Sequence, residues 1–309
     1  MDFEGRDILS LLDFSREDIE KVFEVADKLE HIVNQRTRID ILKDKILGTL
    51  FFQPSTRTRL SFESAMLRLG GGVTGFADAK VSRAGDKYKE SIADTARVIE
   101  NYVDAVAMRH YEDGMPAEFA KYAEVPVING GDGSNEHPTQ GLLDLYTIKK
   151  ELGRIDDIEI LIVSDMKNER VIPSLLYGLA KFDDVKVHLL SPEEFKLKKE
   201  VYDNIKKMKL DYNEINNLEE VIDKVDVIYS NVIREKRGDA PTPDQYVVNA
   251  KKLEKAKKDL IVLHPLPRLD ELSDDVDFTP HARYFEETKY GVITRMALLT
   301  LIFGRENKI

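Results

Sequence analysis

The residues with the clearest chemical potential form the run Ser55-Thr56-Arg57-Thr58-Arg59. A short apolar segment of strand type precedes it at residues 46–52, and apolar side chains recur at helical spacing over residues 58–69. The run therefore opens a helix, where free backbone N–H groups and a partial positive charge attract anions. Its hydroxyl groups and two guanidinium groups strengthen that attraction. We interpret the run as a phosphate-binding segment.

The same run has a second interpretation, in which serine or threonine only caps the helix and the arginines lie on the surface. Two arginines in a first helical turn oppose the helix dipole unless an anion is present. That mismatch favours anion binding over simple capping.

Other candidate residues follow other predicted strands. Arg109 ends one strand, His137 and Arg170 each follow another, and the run His264-Pro265-Leu266-Pro267-Arg268 follows a fourth. In open α/β sheets the ligand crevice lies beyond the carboxyl ends of the strands. Taken singly, Arg109 also fits a surface residue, and a lone His137 is more often structural than metal-binding. Together, arginines, hydroxyls and a neutral histidine donor suit a phosphoryl-bearing substrate and a developing oxyanion.

The elements that position these residues alternate between strands and helices. Strands are expected at residues 46–52, 73–76, 105–108, 125–128, 158–163, 185–190, 225–229 and 260–263, and helices at 8–12, 15–31, 58–69, 90–102, 115–122, 139–152, 172–181, 193–208 and 294–303. Such alternation predicts parallel sheets covered by helices on both faces. We therefore expect an α/β fold with two doubly wound parallel-sheet domains and an active site in the cleft between them.

The length of 309 residues suits two domains of ordinary size. We expect the first over residues 1–136 plus 292–309, because the apolar C-terminal helix returns to it. The second is expected over residues 137–291, entered through a linking helix at 137–152.

Composition excludes several classes of function. A formal net charge of -11 argues against nucleic acid or an anionic membrane as a general partner, because both require a basic surface. The chain contains no cysteine, which excludes disulfides, thiolate catalysis and cysteine-based zinc sites and favours a cytoplasmic location. No apolar run reaches membrane-spanning length, and no glycine-rich nucleotide fingerprint follows any strand.

Four motifs in this order resemble the carbamoyltransferases. They are Ser55-Thr56-Arg57-Thr58-Arg59, Met108-Arg109-His110, His137-Pro138-Thr139-Gln140 and His264-Pro265-Leu266-Pro267-Arg268. The last motif and the run Thr279-Pro280-His281-Ala282-Arg283-Tyr284-Phe285 look like the aspartate branch of the family. The ornithine branch carries a cysteine-containing motif in place of residues 264–267. The resemblance covers essentially the whole chain.

The resemblance implies that the carbamoyl group of carbamoyl phosphate is transferred to the amine of L-aspartate, in pyrimidine biosynthesis, without metal or other cofactor. It implies that the phosphate is bound by Ser55, Thr56, Arg57 and Thr58, and that the carbonyl oxygen is bound by Thr58, Arg109 and His137. It also implies that the carbamoyl nitrogen is bound by Gln140 and by the backbone carbonyls of Leu266 and Pro267. An aspartate carboxylate is implied to be bound by Arg170. A homotrimer with shared sites is also implied. Binding of a separate regulatory chain stays open.

Two departures from the family pattern affect the acceptor side. The loop expected to supply a lysine to a neighbouring subunit is one residue longer here, and either Lys87 or Lys89 fits that role. After the strand at 225–229, Val232 stands where the family carries an arginine, and Arg234 stands where it carries a glutamine. Arg234 is long enough to reach the acceptor carboxylate, or it is an ordinary loop charge.

Two alternative functions follow. A carbamoyltransferase acting on a different amine would explain the altered acceptor loop. A non-catalytic homologue would keep the fold for binding or assembly, but Thr58, Arg109, His137 and Gln140 are all present and argue against it.

Overall fold

A computed structural model describes residues 3–84, 90–233 and 241–309. The chain divides into two compact units, of which unit 1 comprises Met1–Leu143 and Thr288–Ile309 and unit 2 comprises Asp144–Glu287. The chain enters unit 2 within one helix, α5 (Pro138–Leu152), and returns to unit 1 within another, α9 (Tyr284–Ile302).

Unit 1 contains a four-stranded parallel sheet in the order β2-β1-β3-β4. The strands are β1 (Ile46–Phe51), β2 (Gly72–Phe76), β3 (Ala105–His110) and β4 (Val127–Asp132), and the helices are α1 (Arg16–Asn34), α2 (Arg57–Arg68), α3 (Ile92–Ile99) and α4 (Met115–Ala120). Gly75 has a φ of 145°, and a Cβ there would lie 2.1 Å from the Thr49 carbonyl oxygen. Only glycine therefore allows β2 to pair this closely with β1.

From Thr288 onward, α9 packs within unit 1. Lys289 Nζ donates to Asn34 Oδ1 at the end of α1 over 3.2 Å, and the Arg295 guanidinium lies 5.0 Å from the Phe62 ring of α2. The predicted return of the C-terminal helix to the first unit is confirmed.

Unit 2 contains a five-stranded parallel sheet in the order β7-β6-β5-β8-β9. Its strands are β5 (Glu159–Val163), β6 (Lys186–Leu190), β7 (Asp211–Ile215), β8 (Val227–Ser230) and β9 (Ile261–Leu263), and its helices are α6 (Val171–Leu179), α7 (Lys199–Lys207) and α8 (Ala250–Leu253). The strand order reverses between β5 and β8, which makes their carboxyl ends the switch point of the sheet. The predicted α/β fold with two parallel sheets is confirmed.

Three local predictions were wrong. Residues 8–12 do not form a helix, because Ile8 pairs with Ile128 of β4 and only a 3₁₀ turn, Leu11–Asp13, follows. The helix predicted at 193–208 is a 3₁₀ turn, Glu193–Phe195, and then the shorter α7. Strand β7 was missed because it is an edge strand in which only Ile215 is buried.

Candidate active site

The run predicted to bind phosphate, residues 55–59, lies at the start of α2, shortly after the end of β1. Thr56 is the N-cap residue, yet its side chain makes no capping hydrogen bond, so capping by Thr56 does not explain the motif. Arg57 is exposed, although the protein atoms around its guanidinium lower the pKa through desolvation. Its ordinary pKa is so high that the group stays charged. The segment therefore offers an uncapped helix start and a cation.

Arg59 does not contribute its charge in the way that the sequence suggested. Its Nε lies 2.7 Å from Glu63 Oε1, one helical turn further along, and Thr49 Oγ1 also donates to this carboxylate over 3.2 Å. Arg59 is thus paired with Glu63 within α2.

Arg109 is held beside this segment by the pairing of β1 with β3. Phe51 and Arg109 are register partners, and the Gln53 amide side chain accepts from Arg109 Nε over 3.3 Å. The Nη1 of Arg109 lies 3.5 Å from Thr58 Oγ1 and donates to the Gly130 carbonyl over 3.4 Å. These contacts direct the guanidinium toward the buried hydroxyl of Thr58.

His137 approaches the same hydroxyl from the start of α5. Its Nε2 lies 3.2 Å from Thr58 Oγ1, and its Nδ1 lies 3.4 Å from Thr139 Oγ1. The Arg295 guanidinium can only donate hydrogen bonds, and it donates one to Thr139 Oγ1 over 3.4 Å. The hydroxyl hydrogen of Thr139 can then be donated to His137 Nδ1. This arrangement favours the neutral tautomer with the proton on Nε2, where it points at Thr58.

Unit 1 therefore brings Thr58, Arg109 and His137 together, although they are far apart in sequence. Gln140 is buried in the first turn of α5, three residues after His137. The sequence did not indicate a role for Gln53, two residues before Ser55, or for Thr139, whose hydroxyl contacts Arg295 of α9.

In unit 2, the run that begins at His264 leaves the carboxyl end of β9. Leu266 is half-buried with a φ of 56°, and Pro267 is exposed. Arg268 pairs through both terminal nitrogens with Asp277, and its Nη1 donates to the Tyr284 hydroxyl over 3.1 Å. Hydrogen bonding to Arg268 lowers the pKa of Asp277. The end of the run is thereby fixed to the rest of unit 2.

The predicted acceptor residues lie partly within the described chain. Arg170 is the half-buried N-cap of α6, which follows β5 at the switch point. Val232, the departure from the family pattern, is only 4% exposed. Its carbonyl accepts from the Asp165 backbone N–H over 3.1 Å. Lys87, Lys89 and Arg234 lie outside the described residues.

Across residues 3–84, 90–233 and 241–309, no cluster of three or more His, Asp or Glu side chains has the arrangement of a metal site. Among the helices of this part of the chain, none combines the length and apolar character needed to cross a bilayer.

Comparison with known proteins agrees with this geometry. Residues 6–150 match the family model described as the aspartate/ornithine carbamoyltransferase carbamoyl-P binding domain, and residues 156–302 match the Asp/Orn binding domain of the same family. The chain belongs to the aspartate/ornithine carbamoyltransferase family.

Among these relatives, the aspartate carbamoyltransferase catalytic subunit of Thermococcus kodakarensis is 48% identical over 98% of this chain and 99% of its own. The chloroplastic aspartate carbamoyltransferase of Arabidopsis thaliana is 44% identical over 97% of this chain and 78% of its own. The aspartate transcarbamoylase of Trypanosoma cruzi, solved with carbamoyl phosphate and aspartate, superimposes with a TM-score of 0.90 at 34% identity, covering 96% of this chain and 95% of that one.

Proposed function

We propose that this protein transfers the carbamoyl group of carbamoyl phosphate to the amine of L-aspartate, giving N-carbamoyl-L-aspartate and phosphate in pyrimidine biosynthesis. The observation that carries the proposal is the convergence of Thr58, Arg109 and His137 beside the uncapped start of α2. The names of the relatives, and the ligands of the Trypanosoma cruzi enzyme, support the same reaction.

In this proposal the phosphate of carbamoyl phosphate lies at the start of α2. Ser55, Thr56 and Thr58 supply hydroxyl and backbone donors, and Arg57 supplies a fixed positive charge. These groups bind the substrate and also stabilise the negative charge that grows on the departing phosphate. Residues 1–136 plus 292–309 are accordingly proposed as the carbamoyl phosphate-binding domain, and residues 137–291 as the aspartate-binding domain.

The carbonyl oxygen is the second centre of charge. When the amine nitrogen attacks the carbonyl carbon, the C=O bond becomes a C–O⁻ group. The C=O bond then re-forms as the bond between carbon and the bridging oxygen breaks, and the proton lost by the amine nitrogen is taken up by the released phosphate. Donors already aimed at that oxygen lower the barrier without a covalent enzyme intermediate. Thr58, Arg109 and His137 take this role, with His137 donating as a neutral ring through Nε2.

The carbamoyl nitrogen carries two hydrogens and requires acceptors. Gln140 and the backbone carbonyls of Leu266 and Pro267 are proposed for this role. These contacts fix the plane of the carbamoyl group, so that the amine meets its carbon in the correct direction.

On the acceptor side, Arg170 is proposed to bind a carboxylate of aspartate, together with Arg234 and with Lys87 or Lys89 from a neighbouring subunit of a homotrimer. One observation favours a second candidate acceptor. Val232 is buried and apolar at the position where the family pattern carries an arginine, so one expected cation is replaced. A carbamoyltransferase acting on another amine is therefore the second candidate function.

The catalytic-subunit names of several relatives make a separate regulatory chain a candidate partner for this protein. A cytoplasmic location stays a prediction from the cysteine-free sequence, and one relative is described as chloroplastic.

The test is product formation by the purified protein from carbamoyl phosphate with L-aspartate, compared with L-ornithine, L-asparagine and other amines at equal concentration. We expect carbamoyl-aspartate to form at the highest kcat/KM. A higher kcat/KM with another amine would replace aspartate by that acceptor. Tight binding of carbamoyl phosphate with no turnover of any amine would leave the non-catalytic homologue as the explanation.

A further inference from the structure

His264 is buried between the end of β9 and the segment that contains Leu266. Its Nδ1 accepts a hydrogen bond from the Leu266 backbone N–H over 2.8 Å, and its Nε2 lies 2.9 Å from Glu271 Oε1. Its own backbone N–H donates to Glu287 Oε2 over 3.0 Å. His264 and Glu271 are each 1% exposed and Glu287 is 2% exposed.

The direction of these hydrogen bonds fixes the protonation of the ring. The Leu266 N–H can only donate, so His264 Nδ1 must carry a lone pair. The single proton of the neutral ring is then on Nε2, where it is donated to the Glu271 carboxylate. The same carboxylate oxygen also accepts from the Leu269 backbone N–H over 2.8 Å. Glu271 therefore holds both the ring and the chain beyond Leu266.

Leu266 needs such support, because its backbone is in the left-handed region with a φ of 56°. Residues other than glycine adopt this region uncommonly, and they persist there only where surrounding contacts determine the conformation. The hydrogen bond from Leu266 N–H to His264 is one such contact, and the packing of the Leu266 side chain against the core of unit 2 is another. The His264 ring thus holds the N–H side of Leu266, and with it the left-handed backbone conformation that sets the direction of the Leu266 carbonyl.

We propose that His264 is a positioning residue for selection of the carbamoyl group, and that Glu271 sets its tautomer. The proposal rests on the proposed function, in which the Leu266 carbonyl accepts a hydrogen bond from the carbamoyl NH₂. His264 does not touch the substrate. It fixes the Leu266 backbone, so that a carbonyl acceptor faces the NH₂ group of carbamoyl phosphate and has no partner in an acyl phosphate that carries CH₃ instead.

The consequence is a distinct role for each unit in recognition. In the proposed site, the α2 segment, residues 55–59 at the start of α2, binds the phosphate group. Carbamoyl phosphate and acetyl phosphate share this group, so the α2 segment does not distinguish between them. The His264-supported carbonyl in unit 2 distinguishes them, because a site built to accept a hydrogen bond disfavours an analogue without the donor.

Two amide variants separate the two contacts of the ring. In His264→Asn, the side-chain oxygen can take the place of Nδ1 and accept from the N–H two residues on, as in an Asx turn, while the contact with Glu271 is lost. In His264→Gln, the longer amide can reach Glu271, but no acceptor stands at the Nδ1 position. We would measure the KM for carbamoyl phosphate, together with the inhibition constants of acetyl phosphate and inorganic phosphate. Thermal unfolding would confirm that each variant is folded.

We expect the preference for carbamoyl phosphate over acetyl phosphate to fall about tenfold in His264→Gln, the effect of one hydrogen bond between neutral groups. His264→Asn should keep most of the preference, and the inhibition constant of inorganic phosphate should stay within about twofold in both, because the α2 segment is untouched. Wild-type preference in His264→Gln, or equal loss in both variants, would overturn the proposal.

If His264→Gln does not fold, Glu271→Gln provides a second measurement. Its amide oxygen can still accept from His264 and Leu269, but the neutral amide orients the ring less strongly, so a partial loss of preference is expected. An unchanged preference would contradict the role of Glu271. If the wild-type protein shows no turnover and no preference for carbamoyl phosphate over acetyl phosphate, the proposed function fails. If the wild-type protein shows the preference and substitutions at position 264 do not change it, only the role of His264 is refuted.

Discussion

Replacing Thr58 by valine would remove the hydroxyl on which the side chains of Arg109 and His137 converge. Valine has nearly the same shape, so Thr58→Val leaves no cavity at this buried position. The variant loses the 3.2 Å contact between Thr58 Oγ1 and His137 Nε2 and the 3.5 Å contact with Arg109. The first has ordinary hydrogen-bond length, whereas the second is at the outer limit and contributes little.

Two magnitudes follow from this geometry. Loss of one ordinary hydrogen bond to a buried ring should reduce the free energy of unfolding by about 1–2 kcal/mol. Loss of one preorganised donor near the developing oxyanion should reduce kcat by about 10²-fold. Phosphate affinity should change much less, because Arg57 and the backbone at the start of α2 remain.

The assay is steady-state formation of carbamoyl-aspartate at saturating aspartate, with thermal unfolding measured on the same preparations. Thr58→Ser is the matched control, because it keeps the hydroxyl and should retain kcat within about threefold. A Thr58→Val enzyme whose kcat lies within threefold of the wild type would refute the assignment of Thr58 to the carbonyl oxygen. Equal losses in the valine and serine variants would point to packing instead.

Three further predictions follow from the same structure. Arg57→Ala should weaken binding of inorganic phosphate at least about tenfold, with Arg57→Lys intermediate, and calorimetry that shows unchanged affinity would remove Arg57 from the phosphate site. Thr139→Val should lower kcat about tenfold, because His137 loses the donor that keeps its proton on Nε2, while Thr139→Ser should stay near wild type. Arg268→Met should cost about 1 kcal/mol or less of stability at pH 7, as expected for a partly exposed pair. Because Arg268 lowers the pKa of folded Asp277, the contribution of this pair is complete above about pH 4–5 and is lost as the pH falls through the folded pKa. Thermal unfolding of the variant should therefore lose less stability between pH 7 and pH 3 than that of the wild type, and parallel profiles would count against the pairing.

The sequence predicted the central strands well because these strands are buried on both faces. Strand β5 is four-fifths buried and therefore appears as a continuous apolar run, as parallel strands do. The edge strand β7 contains Asp211, Asn213 and Glu214, whose exposure hides the strand from any hydrophobic pattern. Residues 8–12 have helical spacing, but Ile8 pairs with β4, a contact that no local pattern contains.

In the candidate site, too, some features could be predicted from the sequence and others depend on contacts between distant residues. Residue types and order were sufficient to propose Thr58, Arg109 and His137, and the structure brings these three together. The contacts that orient them were not predictable, because they join distant positions: Arg295 reaches Thr139 across 156 residues. Arg59 differs from these residues, because its partner Glu63 lies only four residues further along α2 and forms a local salt bridge with it.

The return of α9 to unit 1 has a consequence for the order in which the newly made chain can fold. Unit 2, Asp144–Glu287, is complete in sequence before residues Thr288–Ile309 have been synthesised. Arg295, which contacts Thr139 and Phe62, is synthesised after the whole of unit 2. Domains usually fold from the N-terminus during synthesis. Here the second unit can finish first, because unit 1 still needs the segment Thr288–Ile309, which is made after unit 2.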